Sequence, residues 1–359
     1  MFKIKILIAS LFFSTFLYSQ QKSYYVIAYY TGSGDAIRQQ PVEKLTHIIY
    51  SFLKLQNDTL TFRNEDQKEN LKKLVALKKE FPKLKIMVSI GGWGGCYPCS
   101  GLFASDAHRE TFAKTTVALF NEYQIDGLDL DWEYPAIEGY PGHPYMPEDK
   151  NNFTELIKAL RSEMGNKYQL SFAAGGFDRF LENSIDWDAV IPLVDFVNLM
   201  TYDLVSGYST VTGHHTPLMN NEYQTTSTDN CVSWLLNHRV PPEKLIIGAA
   251  FYARVWENVP DTMHGIYQSG KFKQGVPYRN FETYFNSDSG WVYYRDEEAG
   301  AAFRYSNALN RFATFDDQYS LLLKTEYVKK KNLRGIMFWE LSQDKSPGGL
   351  LDTISSNLK

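Results

Sequence analysis

Eight short apolar runs, separated by stretches of helical period, leave this chain few folds to choose from. The runs are Tyr24–Tyr30, His47–Leu53, Leu84–Ile90, Asp126–Glu133, Tyr168–Ala174, Phe196–Tyr202, Lys244–Phe251 and Gly335–Glu340. Between them, Asn151–Arg161 sets Phe153, Leu156, Ile157 and Leu160 at helical spacing, and Phe112–Tyr123 and Tyr319–Lys331 read the same way. Strands that alternate with helices argue for a parallel sheet, and eight such units argue for an α/β chain closed into a (β/α)8 TIM barrel. Such a barrel needs ~250 residues, and the chain has 359. The surplus gathers in one place. Residues 257–310 are rich in Tyr, Gly and Phe, lack helical period, and read as a β-rich insertion between the seventh and eighth strands. The expected organisation is a leader at 1–20, a barrel at 21–256 and 311–359, and an inserted subdomain at 257–310.

The fourth run also carries four carboxylates in eight residues. Side chains alternate across a strand, so Asp129, Asp131 and Glu133 share a face with Gly127. Asp126 falls on the other face with Leu128, Leu130 and Trp132, where a structural role is expected. Charges are costly to bury unless paired or neutralised, and a row of acids on a buried strand marks a functional site. Active sites of these barrels lie at the C-terminal ends of the strands. Glu133 is therefore expected at the mouth, with Asp131 one inward step below, about 7 Å along the strand, and Asp129 a further step down.

The formal charge is −4, and this mild acidity argues against a nucleic-acid partner. The first twenty residues read as an export signal, with Lys3 and Lys5 ahead of an apolar run from Ile6 to Leu17. That run falls short of the ~20 residues that span a bilayer, so no membrane association is expected after cleavage, and the destination is the periplasm or the medium. Cys96-Tyr-Pro-Cys99 admits three readings: a metal half-site, a redox pair or a local disulfide. No second Cys/His pair at zinc spacing exists, and export favours the disulfide. Cys231 falls on a helical segment and reads as a free core thiol. His214-His215 invites a metal reading, but adjacent histidines point apart on an extended chain and no third ligand accompanies them; a loop role is expected. No cofactor is implied.

Asp126-x-x-Asp129-x-Asp131-x-Glu133 resembles the signature of glycoside hydrolase family 18, the chitinases. Four further motifs follow in the family's order: Ser89-Ile-Gly91-Gly92 on the third strand, Met200-Thr-Tyr202-Asp203 on the sixth, Phe251-Tyr252-Ala-Arg254 on the seventh, and Trp339 on the last. The resemblance covers nearly all of the chain after the leader. It implies an α+β character for the insertion, and hydrolysis of β-1,4-linked N-acetylglucosamine with net retention. Glu133 would be the proton donor, and the substrate's own acetamido oxygen would be the nucleophile. Asp131 would orient the acetamido N–H, Asp129 would share a proton or hydrogen bond with Asp131, and Tyr202 would donate to the acetamido carbonyl. Asp203 would hold the sugar or the reacting group, Trp339 would form the floor, and Tyr29, Phe52, Trp93, Tyr134, Met200, Tyr252 and Arg254 would line the cleft. Ser89 and its glycines read as packing residues.

The implied substrate is chitin or its oligosaccharides, bound in a deep aromatic groove that favours attack at chain ends. Two alternatives carry different expectations. An endo-β-N-acetylglucosaminidase would use the same acids on the N-glycan chitobiose core. A chitinase-like lectin would have lost the catalytic glutamate, whereas Glu133, Asp131 and Tyr202 are all present here.

Overall fold

The computed structural model describes residues 23–358; the expected leader lies outside them. Eight parallel strands form the closed barrel: β1 (Tyr25–Tyr30), β2 (His47–Gln56), β4 (Lys85–Gly91), β5 (Gly127–Asp131), β6 (Gln169–Gly175), β7 (Phe196–Met200), β8 (Leu245–Ala250) and β14 (Gly335–Trp339). Each pairs with its neighbour, and β1 closes the ring by pairing with both β14 and β2. The short β3 (Thr59–Thr61) folds back antiparallel on the end of β2.

Helices such as Asp106–Tyr123, Asp149–Met164 and Gln318–Lys330 pack around the outside. Their apolar faces meet the outward side chains of the strands in the main core, which includes Leu128, Leu130, Trp132, Phe153 and Leu156. The inward side chains form a second, smaller core around Ile27, Ile49, Met87, Phe196, Ile246 and Met337. Alternation along each strand thus divides the apolar residues between two layers. Asp126 sits at the foot of β5, where its carboxylate accepts from the Ile86 backbone and pairs with Lys78, each at 2.9 Å.

The insertion is wider than its composition indicates. A five-stranded antiparallel sheet runs in the order β10-β9-β13-β12-β11. Its strands are β9 (Tyr252–Glu257), β10 (Lys271–Pro277), β11 (Trp291–Asp296), β12 (Ala301–Ser306) and β13 (Arg311–Phe315). The last strand, and all of the first but Glu257, lie outside the expected bounds of 257–310. The reason is local: Tyr252–Glu257 follows β8 after a single residue, with the same apolar character, so the sequence carries no break there. Both faces of this sheet are covered. Ala253, Val255, Trp291 and Phe315 pack beneath the short helix Phe281–Tyr284, while Trp256, Phe303, Tyr305 and Phe312 pack on the opposite side.

A buried ion pair ties this sheet to the barrel. Asp316, just past β13, accepts from Lys324 Nζ at 2.7 Å and from the Ala250 backbone at 3.0 Å, and both charged side chains are fully buried. Thr216 and Ser320 hydroxyls complete the carboxylate's partners. Removing one member of a buried pair leaves the other charge uncompensated, at a cost of about 3–5 kcal/mol. Lys324→Met is expected to lower the free energy of unfolding by that amount in urea titration; an unchanged midpoint would refute the role.

Candidate active site

The pairing register explains the base of the site. Asp129 on β5 lies level with Ser89 on β4 and Ser171 on β6. Neighbouring strands therefore deliver their hydroxyls to its carboxylate at 3.0 and 2.7 Å. Tyr29 donates its hydroxyl at 2.8 Å and Asn198 its amide at 3.0 Å. Burial raises the Asp129 pKa, and these four hydrogen bonds oppose the rise.

Asp131, one inward step higher, is differently placed. It is buried, and its Oδ1 has no hydrogen-bond partner. Burial, then the charges of Glu133 and Asp129, push its pKa well above the usual carboxylate range. The strand ends at Asp131, so Glu133 stands just beyond it at the mouth and keeps partial access to solvent. Burial of its carboxyl and the negative charge of Asp203 lift its pKa to about 7, against a hydrogen bond from Tyr134 that lowers it. A carboxyl that still holds its proton near neutrality is a competent general acid.

Gly91 and Gly92 make the close packing here possible. Both have positive φ, and a Cβ on Gly91 would fall 1.9 Å from the Asp131 carbonyl oxygen. The Gly92 amide donates to that same oxygen at 2.8 Å.

The other side of the mouth is built from the ends of β7 and β8. Tyr202 is buried, and its hydroxyl is kept protonated first by burial and then by its acidic neighbours Tyr252, Asp131, Asp203 and Glu133. Asp203 is held by Arg254 through two parallel hydrogen bonds, and it accepts from the Tyr252 hydroxyl at 2.8 Å. His215 Nδ1 lies 3.4 Å away, with its ring against Tyr252. Burial alone would raise Asp203, but the hydrogen bonds and charges of Arg254 and His215 hold it well below the usual range. Asp203 therefore stands as a fixed anion near Glu133.

Trp339 ends β14, partly exposed, with Phe52 stacked on it at 5.5 Å and Tyr29 tilted against it at 5.7 Å. Peptide bonds Ser51–Phe52, Glu133–Tyr134 and Trp339–Glu340 are cis. Trp93 is 45% exposed and meets Tyr134 and Tyr140 at 6.3 and 5.6 Å. Cys96 and Cys99 are joined by a disulfide in the loop that follows Trp93. Met200 and Tyr252 are buried beneath the mouth.

Several expectations change in this light. Tyr29 is only 1% exposed, so it supports Asp129 from below and does not line the cleft. Arg254 gives its Nε and Nη2 to Asp203, so each holds the other in place at the edge of the mouth. Ser89 is a donor to Asp129 and more than packing. The four donors to Asp129 do not include Asp131, so the two carboxyls are coupled by charge. His215 packs beside Asp203, while His214 turns away to Asp296 at 3.0 Å. Ser171, Asn198, Tyr140 and Tyr208 were not singled out from sequence. For Ser171 and Asn198 the inward position on a strand was the available signal; the two tyrosines lie in irregular loops with no period to read.

A (β/α)8 barrel with a carboxyl of raised pKa at its mouth, above two buried carboxyls and beside an aromatic floor, is the arrangement of a glycoside hydrolase. Residues 25–344 match the family described as Glycosyl hydrolases family 18. Chitinase A1 from Niallia circulans is 32% identical over 314 residues, or 81% of this chain and 44% of that protein. Chitotriosidase-1 from Mus musculus is 30% identical over 84% of this chain and 68% of its own. Among solved structures, a family 18 N-acetylglucosaminidase from Paenibacillus barengoltzii has a TM-score of 0.84 at 35% identity, covering 93% of this chain and 99% of that one. The chain thus belongs to glycoside hydrolase family 18, although it spans less than half the length of Chitinase A1.

The charge on Asp203 raises the Glu133 pKa, and Arg254 is the first of the two partners, with His215, that keep Asp203 ionised. In Arg254→Met, Asp203 is expected to take up a proton and Glu133 to titrate below pH 7. Carbon-detected NMR of labelled glutamate carboxyls would show the shift; an unmoved Glu133 midpoint would rule out this coupling.

Proposed function

We propose that this protein is a chitinase, hydrolysing β-1,4-linked N-acetylglucosamine in chitin and its oligosaccharides with net retention. The observation that carries the mechanism is an imbalance at the mouth. One carboxyl, Glu133, is poised as acid, while the facing carboxylate, Asp203, is locked to Arg254 and Tyr252. A usual retaining glycosidase needs a second free carboxylate as nucleophile. Here the substrate's acetamido group fills that role.

Glu133 gives its proton to the glycosidic oxygen as the C–O bond breaks. The acetamido carbonyl oxygen bonds to the anomeric carbon, forming an oxazolinium ring. Asp131, whose Oδ1 is free of other partners, accepts the acetamido N–H and stabilises the positive charge. The Tyr202 hydroxyl donates to the acetamido oxygen. Water then attacks the anomeric carbon, Glu133 takes its proton, and the ring opens. Asp129 fixes the electrostatics below Asp131, and Trp339 provides the flat surface for the reacting sugar. The substrates named for Chitinase A1 and Chitotriosidase-1 support this choice. The retained Glu133 weighs against a lectin, and chitinase-named relatives weigh against the N-glycan core as substrate.

A second reading is favoured by the 35%-identical N-acetylglucosaminidase: release of single N-acetylglucosamine units. Chromatography of the first products from chitin hexamer separates the two, since monomer alone would establish this second reading. We also propose export, supported by the Lys3/Lys5 leader pattern and by the Cys96–Cys99 disulfide, which suits an oxidising compartment. Amino-terminal sequencing of protein recovered outside the cytoplasm tests it.

Glu133→Gln is expected to lower turnover of chitin hexamer at least ~100-fold, the low end for loss of a general acid, while calorimetry still detects hexamer binding. Full residual activity would overturn the assignment. Tyr202→Phe is expected to be impaired to a smaller degree. The wild-type rate is expected to fall on the basic side with a midpoint near pH 7, as Glu133 loses its proton, and on the acid side as the Asp129–Asp131 pair gains one. A rate still rising above pH 8 would contradict the role of Glu133.

A further inference from the structure

The inserted sheet has two faces, and the catalytic mouth uses one of them. Alternation along β9 puts Tyr252, Arg254 and Trp256 on one side and Ala253, Val255 and Glu257 on the other. Tyr252 and Arg254 hold Asp203 at the mouth. Glu257 stands at the far end of the strand, about 17 Å from Tyr252 at ~3.4 Å per residue. Arg311 on β13 lies level with Glu257, and Ser306 on β12 lies level with both Arg311 and Trp291. This corner of the sheet therefore faces away from the catalytic groups.

A hollow of about 550 Å³ opens at that corner, within the ~300–1,000 Å³ typical of small-molecule sites. Its apolar walls are Tyr284 from the short helix, Trp291 from β11 and Leu309 from the β12–β13 turn. Asn280, Thr283, Ser289 and Arg311 supply its polar groups. Trp291 is held as a back wall by Phe285 at 5.0 Å and Tyr284 at 6.2 Å. Arg311 is not saturated by the protein. Its Nε is buried without a hydrogen-bond partner, and Glu257, the carboxylate level with it, is taken by Lys273 at 2.6 Å.

This lining selects its ligand. Hydroxyl, amide and guanidinium groups beside apolar rings suit a sugar, which carries hydroxyls on its edge and C–H groups on its faces. The hollow is far larger than a lone oxyanion needs, and the neighbouring charges of Glu282 and Asp288 disfavour one. We propose that the hollow is a second carbohydrate site, remote from the acid row, which takes a short N-acetylglucosamine segment and holds the enzyme to its polymer. The choice of sugar rests on the chitinase reading above. A segment bound there lies outside the cleft, so it adds hold without entering the reaction.

The test uses the full protein carrying Glu133→Gln, so that chitin tetramer is bound without turnover. In NMR spectra of nitrogen-labelled protein, the Trp291 and Trp339 indole N–H signals report the hollow and the cleft separately. Both are expected to move as tetramer is added. Arg311→Ala is expected to weaken the Trp291 response roughly tenfold or more, and the milder Thr283→Ala roughly two- to tenfold. The Trp339 response is expected to persist in both, which also shows that they fold. A Trp339 signal that moves while Trp291 stays fixed would overturn the second site and leave the chitinase reading standing. A Trp291 response unchanged by both substitutions would overturn it as well. Movement of Trp291 with inorganic phosphate but not with tetramer would overturn sugar as the occupant. If neither signal moves with tetramer, both readings fall.

Discussion

The site depends on one buried carboxylate. Asp129 sits on the barrel axis with no solvent, and an ionised carboxylate in that position is unfavourable by several kcal/mol unless its oxygens are filled. Four donors from four different strands fill them. Hydrogen bonds to a charged group are worth about 1.5–3 kcal/mol each, so the set is of the right size to keep the group in place. Asp131 and Glu133 then stand above this hydrogen-bonded base with fewer partners, and Glu133 with more access to water. Proton affinity along the row is set by this placement, because neighbouring carboxyls resist joint ionisation.

The opposite wall works by the reverse principle. Arg254 reaches from the first strand of the inserted sheet to grip Asp203 at the end of β7. A bidentate guanidinium–carboxylate pair has directional strength that a lysine would not match. This keeps a negative charge near Glu133 without offering a nucleophile. The insertion thus shapes the chemistry as well as the cleft, through Arg254 directly and through Trp256 and Phe272 behind the Tyr208 loop.

Much of this is legible in the sequence because it follows from short-period patterns. Period two along 126–133 separates Asp126 from the other acids, and the structure places Asp126 at the foot of the barrel against Lys78. The eight apolar runs and the helices between them lead to the closed barrel. What the sequence hides is pairing between distant strands. Ser89 and Ser171 become partners of Asp129 only through register, and Arg254 becomes a partner of Asp203 only because β9 turns back over the mouth. The insertion's edges are obscured for a related reason: β8 and β9 are nearly continuous in apolar character. Tyr140 and Tyr208 acquire meaning only from the loop geometry that brings them to Trp93.

The central claim is that the substrate supplies the nucleophile that the protein lacks. Partially deacetylated chitin oligomers test it directly, because each cut turns the sugar in the reacting position into a new reducing end. Mass-spectrometric sequencing of the products identifies that sugar. The mechanism predicts N-acetylglucosamine at every new reducing end. Glucosamine appearing there at its abundance in the substrate would contradict it.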